Sequence, residues 1–317
     1  MSNKPFFLLG EEIFPGKRKV LDLEVAKLHT RTTIKVPVIV ERSKKNGPVV
    51  LLVAGIHGDE INGVGIVREI INQKINKPIK GTIICLPVFN IFGYLVHSRE
   101  FPDGRDLNRV FPGTQSGSLA SQFAYQFTKE IAPHVDYVID YHTGGGDRDN
   151  IAQIRFNSSR SNIEKLAKVF NPPFLVHSNT ISKSLRETIN KLGKTILLFE
   201  GGKTNELNKE VINHGVRGTK NVLSYLEMID KEQETTIEIP IFVKSSKWLR
   251  ANYSGMFTVT VENGTRVKKK TVLGIIQDPF GEFKKNVYAP YDCYIFCTNR
   301  TPIINKGDAL FHLGLEE

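Results

Sequence analysis

Cysteine is scarce. The chain has 317 residues and only three cysteines, Cys85, Cys293 and Cys297, an odd number with no Cys-x-x-Cys spacing. That excludes a disulfide framework and leaves no partner pair for a cysteine zinc site. Cys85, inside the apolar run 82–88, reads as a small buried hydrophobe, and Cys293 and Cys297 are spaced to share one face of a strand. No apolar run approaches the length of a membrane span. The first residues, MSNKPFFLLGEEIFPGKR, have too short an apolar stretch and too early an acidic pair for a secretory signal, so the expected location is cytoplasmic. Glycines cluster at 144–146 and 201–202, yet no Gly-Lys-Ser/Thr follows, which excludes a phosphate loop. A net charge of +10 suggests nucleic acid, but the basic residues are scattered and the only tight run is Lys268–Lys270. The charge reads as solvated surface with some attraction for anionic substrates. Neither a nucleic-acid nor a membrane partner is expected.

What is present is an ordinary globular composition, 40% hydrophobic and 24% charged, which implies a substantial core. The length suits one large α/β domain and a smaller second one. The chain is organised around VVLLVAGIHGDEINGVGI, residues 49–66. Residues 49–54 form an apolar, β-branched run of the kind buried on both faces of a parallel or mixed sheet. His57 and Glu60 follow in a turn, and apolar spacing at Ile61, Val64, Ile66, Val67 and Ile70 then predicts a helix to about residue 72. A turn at the carboxyl end of a buried strand is where open α/β sheets place ligand-binding groups.

Before this stretch, alternating segments 19–28 and 32–40 predict antiparallel strands. After it, a second buried strand at 82–88 completes a βαβ unit and argues for parallel strands. Residues 89–117 show little periodicity and are rich in polar residues and glycine, so a functional loop is expected. Helices at 119–131, 163–170, around 184–192 and at 210–228 alternate with strands at 135–141, 151–156 and 195–199. The expected fold is therefore a mixed, largely parallel central sheet flanked by helices. From about residue 232 no helical period remains. Runs at 236–243, 255–262, 272–276 and 292–298, with turns at Asn263-Gly264, Asp278-Pro279 and Lys306-Gly307, predict a small β-sandwich or barrel. The expected division is a catalytic α/β domain at 1–232 and a β domain at 233–317. Segments 267–273 and 304–310 echo one another, as two similar hairpin halves would.

Three strand ends deliver polar groups: His57 with Glu60, then His142, then Glu200. A catalytic zinc needs three protein ligands and an open position. His57, Glu60 and His142 meet that count, and Glu200 is placed to serve as base.

The segments GIHGDEING (55–63), PDGRDLNRVFPG (102–113), DYHTGG (140–145) and FEGG (199–202) resemble, in order, the succinylglutamate desuccinylase/aspartoacylase group of the zinc carboxypeptidase superfamily. The last eighty or so residues also look like the β domain of that group, which narrows access to the site. The resemblance implies one zinc per chain on His57, Glu60 and His142, with Glu200 as the water-activating base. It implies that Asn108 and Arg109 bind the substrate's free carboxylate. An upstream arginine, Arg99 with Arg105 as competitor, would polarise the scissile carbonyl. The implied reaction is cleavage of the amide bond of a small anionic N-acyl amino acid by zinc-activated water. The alternative is a zinc metallocarboxypeptidase acting on short peptides, which the same motifs would serve. A zinc-binding scaffold with a decayed site is disfavoured, because all four residues are present. Asp106 reads as holding its loop through its own backbone. Asp59 and Asp140 are either partners that orient the ligand imidazoles or ordinary turn and strand-end residues. His97, His134, His177, His214 and His312 read as structural or exposed. Self-association into a homo-oligomer is left open.

Overall fold

The computed structural model describes residues 5–157, 161–230 and 239–315. Its centre is the apolar strand Val49–Ala54, paired in parallel with Thr82–Leu86 on one edge and Tyr137–Gly144 on the other. Thr195–Lys203 adds a fourth parallel strand beside Tyr137–Gly144. Side chains alternate across these strands. Leu51 and Val53 enter one buried cluster with Phe123 and Phe127, while Val50, Leu52 and Ala54 enter a second with Ile66 and Val222. Burial on both faces is what a continuous apolar strand requires.

Helices cover the two faces. Leu119–Glu130, capped by Ser118, packs on the first, and Ile61–Asn72 and Lys209–Tyr225 on the second. Asn208 caps the last of these by accepting from the Glu210 and Val211 amides. Cys85 is fully buried in the second cluster, where burial pushes its thiol up to about 12, as expected of a small hydrophobe. At one edge Arg18–Lys27 and Thr33–Arg42 run antiparallel, and the second joins Thr82–Leu86. The mixed central sheet flanked by helices expected from the sequence is therefore present, parallel in its four central strands and antiparallel toward its edges. Among the described residues no helix is long and apolar enough to cross a membrane.

Several elements differ from expectation. The segment 89–117 holds a short helix, Ile91–Val96, capped by the Asn90 side chain, and a 3-10 turn, Leu107–Arg109, capped by Asp106. Both are too short for a helical period to register. Phe174–His177, which follows Pro172-Pro173, is a strand that pairs in parallel with Arg148–Phe156 and with Ile241–Val243. Tyr137–Gly144 and Thr195–Lys203 extend beyond the apolar runs, so His142 and Glu200 lie within strands rather than after them.

The C-terminal strands are continuous with the main sheet. Cys293–Asn299 pairs antiparallel with Arg148–Phe156, then with Ala309–Leu315, which pairs with Ser245–Arg250, all within one sheet of 13 strands among the described residues. A separate 4-stranded sheet, Lys284–Tyr288, Val272–Gln277, Gly255–Val259 and Ile303–Ile304, shares a cluster with it through Phe257, Leu273, Leu310 and Phe311. The echo noted in the sequence corresponds to two units of one form: Arg266–Val267 leading to Val272–Gln277, and Ile303–Ile304 leading to Ala309–Leu315. The expected boundary at 232/233 and the start of the run 236–243 lie outside the described residues; the described strand there is Ile241–Val243. Cys293 and Cys297 share a strand but not a face. A bulge between Ile295 and Cys297 sends Cys293 into the cluster with Ile295 and Cys297 into another with Phe296.

His312 lies between Trp248, stacked at 4.2 Å, and Phe296 at 4.4 Å. Burial, with the nearby charges of Arg155 and Arg148, pulls its imidazole down to about 3. The folded imidazole thus binds its proton more weakly than the unfolded one. The stability it lends is complete above the unfolded value near 6.5 and is lost as pH falls from there toward 3. His312→Phe, which keeps the stack, is expected to flatten the fall in unfolding free energy between those limits, measured by denaturant titration across pH.

Candidate active site

The turn after Val49–Ala54 is fixed by a close approach. A Cβ on Gly58 would sit 1.8 Å from the Gly93 carbonyl carbon, so only glycine lets the turn lie against the Ile91–Val96 helix. The Gly58 amide donates to Ser98 O at 3.1 Å, which brings the next residue, Arg99, over the turn. Glu60 ends the turn at the start of the Ile61–Asn72 helix.

His57, Glu60 and His142 are each buried, and one ligand atom from each lies within 4.8 Å of the others. Nδ1 of His57 faces Glu60 Oε1 at 2.6 Å, and Nδ1 of His142 faces Oε2 at 2.8 Å. Oε2 also accepts from the Thr143 amide at 3.0 Å, and Oε1 from Arg99 Nη1 at 3.1 Å. The outer nitrogens are held as well. His57 Nε2 lies 3.0 Å from Asp106 Oδ1, and His142 Nε2 lies 3.0 Å from Asp140 Oδ2. Carboxylates placed behind imidazoles in this way orient them toward a metal.

Burial opposes charge on every member, but the opposite charges win. Glu60 and Asp106 raise His57, Asp140 and Glu60 raise His142 strongly, and the two imidazoles hold Glu60 well below the ordinary carboxylate range. Two imidazole nitrogens and one carboxylate suit zinc at a catalytic position. Space is kept beside them by Gly145, where a Cβ would lie 3.0 Å from Arg99 Nη1 and 3.9 Å from Glu60 Oε1.

Glu200 is the register partner of His142 on the adjacent parallel strand and of Gln153 on the antiparallel one. Directly opposed residues share a sheet face, so the three form a row. Glu200 Oε2 accepts from Asn150 Nδ2 at 2.9 Å, and Arg155 Nε lies 3.8 Å from Oε1. Asn108 Oδ1 accepts from the Leu185 amide at 2.8 Å, and exposed Arg109 donates from Nη1 to Asn108 O at 2.8 Å. Arg99 also grips Asp106 Oδ2 through Nε at 3.1 Å and Nη2 at 2.8 Å. Arg105 is not brought in; it is exposed and pairs with Asp103 at 3.6 Å. Asp106 both caps its own turn and contacts His57 and Arg99, a wider set of contacts than the loop-holding expected of it. Of the two undecided aspartates, Asp140 contacts an imidazole, whereas Asp59 Oδ1 is buried without a partner among the described residues.

Sequence reasoning missed Asn150, Gln153, Arg155 and Arg186. Gln153 is fully buried with neither side-chain polar atom partnered among the described residues, and Arg186 donates to Ser178 Oγ at 3.1 Å and to Asn179 O. The available signal was the segment RDNIAQIRF, in which polar Gln153 and Arg155 alternate with apolar Ala152, Ile154 and Phe156.

The catalytic-domain model described as succinylglutamate desuccinylase/aspartoacylase matches residues 46–226, more than half of the chain. The N-alpha-acetyl-L-2,4-diaminobutyric acid deacetylase of Halomonas elongata is 27% identical over 256 residues, covering 77% of this chain and 75% of that protein. A succinylglutamate desuccinylase/aspartoacylase structure from Rhodobacter sphaeroides superposes with a TM-score of 0.84 at 23% identity, over 95% of this chain and 96% of that one. The product-bound ectoine utilization protein EutE (DoeB) of Ruegeria pomeroyi gives 0.85 at 21% identity, over 98% of both chains. On the family match and the shared fold, the chain belongs to the succinylglutamate desuccinylase/aspartoacylase family.

Proposed function

We propose that the chain is a zinc-dependent hydrolase that cleaves the amide bond of a small anionic N-acyl amino acid. In this reading residues 1–232 form the catalytic domain and 233–317 the β domain beside it. The main support is the convergence of His57, Glu60 and His142 donor atoms within 4.8 Å, with Glu200 one strand away in register with His142. Further support for a deacylase over a carboxypeptidase is the deacetylase named in Halomonas elongata, to which the chain is similar over most of its length.

His57, Glu60 and His142 would hold the metal, which when bound supplies Lewis-acid activation of water and of the scissile carbonyl. Glu200 takes the proton of the attacking water and passes it to the departing amine. Arg99 uses three of its five N–H groups on Glu60 and Asp106, which fixes its plane and leaves donors for the carbonyl oxygen as negative charge develops there. Asn108 and Arg109 hold the free carboxylate, whose geometry a guanidinium matches with two parallel hydrogen bonds. The products are a carboxylate and a free amino acid.

The test is amine release from a panel of N-acyl amino acids and short peptides by wild type and Glu200→Gln. Wild type is expected to cleave acyl amino acids, and Glu200→Gln to lose about 10²–10⁴-fold in kcat with its metal retained. Cleavage of peptides alone would replace this reading with the carboxypeptidase one, and an active Glu200→Gln would remove the base. A separate expectation concerns Asp140→Asn, which withdraws the carboxylate behind His142. Its zinc affinity, measured by chelator competition, should fall about 10- to 100-fold; unchanged affinity would contradict the orienting role.

A further inference from the structure

The strand Arg148–Phe156 is shared between two parts of the molecule. One edge pairs with Thr195–Lys203, which carries Glu200, and the other with Cys293–Asn299 of the C-terminal module. Asn150 sits at the junction, opposite Gly202 on one side and Cys297 on the other. The register shifts between Glu200 and Gly202, a bulge that lets the Asn150 amide reach back along the neighbouring strand to the carboxylate.

Asn150 is 4% exposed. Its Nδ2 donates to Glu200 Oε2 at 2.9 Å, while its Oδ1 is buried without a partner among the described residues. A buried amide is normally retained because both of its ends are bonded. Here the one side-chain hydrogen bond among the described residues goes to Glu200, so bonding elsewhere does not explain the residue.

The segment leading to Asn150 is clamped from the C-terminal side. Arg300 donates to Asp149 Oδ2 from Nη2 at 3.0 Å and Nε at 3.2 Å. Asn263 Nδ2 donates to Asp149 O at 2.8 Å, and the Arg300 amide to Asp147 O at 2.8 Å.

We propose that Asn150 is a positioning residue for Glu200, and that the C-terminal module acts on the reaction by holding the strand that carries it. The proposal rests on Glu200 being the base. A glutamate side chain has three rotatable bonds, and a donor on a rigid strand removes much of that freedom by pinning Oε2. Oε1, with Arg155 Nε 3.8 Å away, is thereby the oxygen left to meet the attacking water. The C-terminal module then contributes to turnover without contacting substrate.

The test compares kcat, KM and zinc content for Asn150→Asp, Asn150→Ala and Arg300→Met beside Glu200→Gln, with N-acyl amino acids as substrates. Asn150→Asp keeps the shape and, where ionised, cannot donate, while Asn150→Ala removes the donor at every pH. Both Asn150 variants are expected to lose about 10- to 100-fold in kcat, as displaced catalytic groups do, with KM within about twofold and zinc content unchanged. Arg300→Met should shift kcat the same way by a smaller factor. Wild-type kcat in Asn150→Ala with an inactive Glu200→Gln overturns this proposal alone. A fall that tracks zinc loss, or a change in KM instead of kcat, also overturns it. Unchanged kcat in Arg300→Met overturns the part given to the C-terminal module. An active Glu200→Gln would instead remove the underlying base assignment.

Discussion

The carboxylate of Glu60, 2% exposed, is the group on which the rest of the site depends. A buried charge left without partners costs on the order of several kcal/mol, and this one is met by partners from separate parts of the chain. His57 comes from the same turn, His142 and the Thr143 amide from a parallel strand, and Arg99 from the loop after the Ile91–Val96 helix. The two imidazoles and Arg99 are themselves anchored, on Asp106 or Asp140. The result is an alternation of carboxylates with imidazoles and a guanidinium that closes only when strands, turn and loop all stand in place.

The parallel sheet is what makes that meeting possible. Val49–Ala54, Tyr137–Gly144 and Thr195–Lys203 run side by side in the same direction. Their polar carboxyl-terminal residues therefore arrive at the same end. The register then places Glu200 opposite His142, one strand spacing from the cluster of His57, Glu60 and His142. On the far side, the antiparallel strand Arg148–Phe156 ties this arrangement to the C-terminal strands. The β module is continuous with the sheet that carries the site.

Much of this was legible in the sequence, for physical reasons. Long apolar runs and strongly periodic helices announce themselves, so Val49–Ala54, Thr82–Leu86 and Leu119–Glu130 were read nearly to their bounds. His57, Glu60, His142 and Glu200 stood out because each interrupts or ends an apolar run. Elements made by capping rather than periodicity were not legible: Ile91–Val96 depends on the Asn90 cap and Leu107–Arg109 on Asp106. Neither was the choice between Arg99 and Arg105, which depends on Gly58 pressing its turn against Gly93. A bulge defeated the reading of Cys293 and Cys297, since one inserted residue reverses the face of everything beyond it. Asn150 and Gln153 were hidden because a strand's outer neighbours, here Thr195–Lys203 and Cys293–Asn299, are far away in sequence.

The central claim is that His57, Glu60 and His142 together hold one catalytic metal. The most direct measurement is elemental analysis of the purified, folded protein beside Glu60→Gln and His142→Ala. The account predicts about one zinc per folded wild-type chain and its loss from both variants. A folded wild-type protein that takes up no zinc when zinc is supplied, or variants that bind it as well as wild type, would contradict the account.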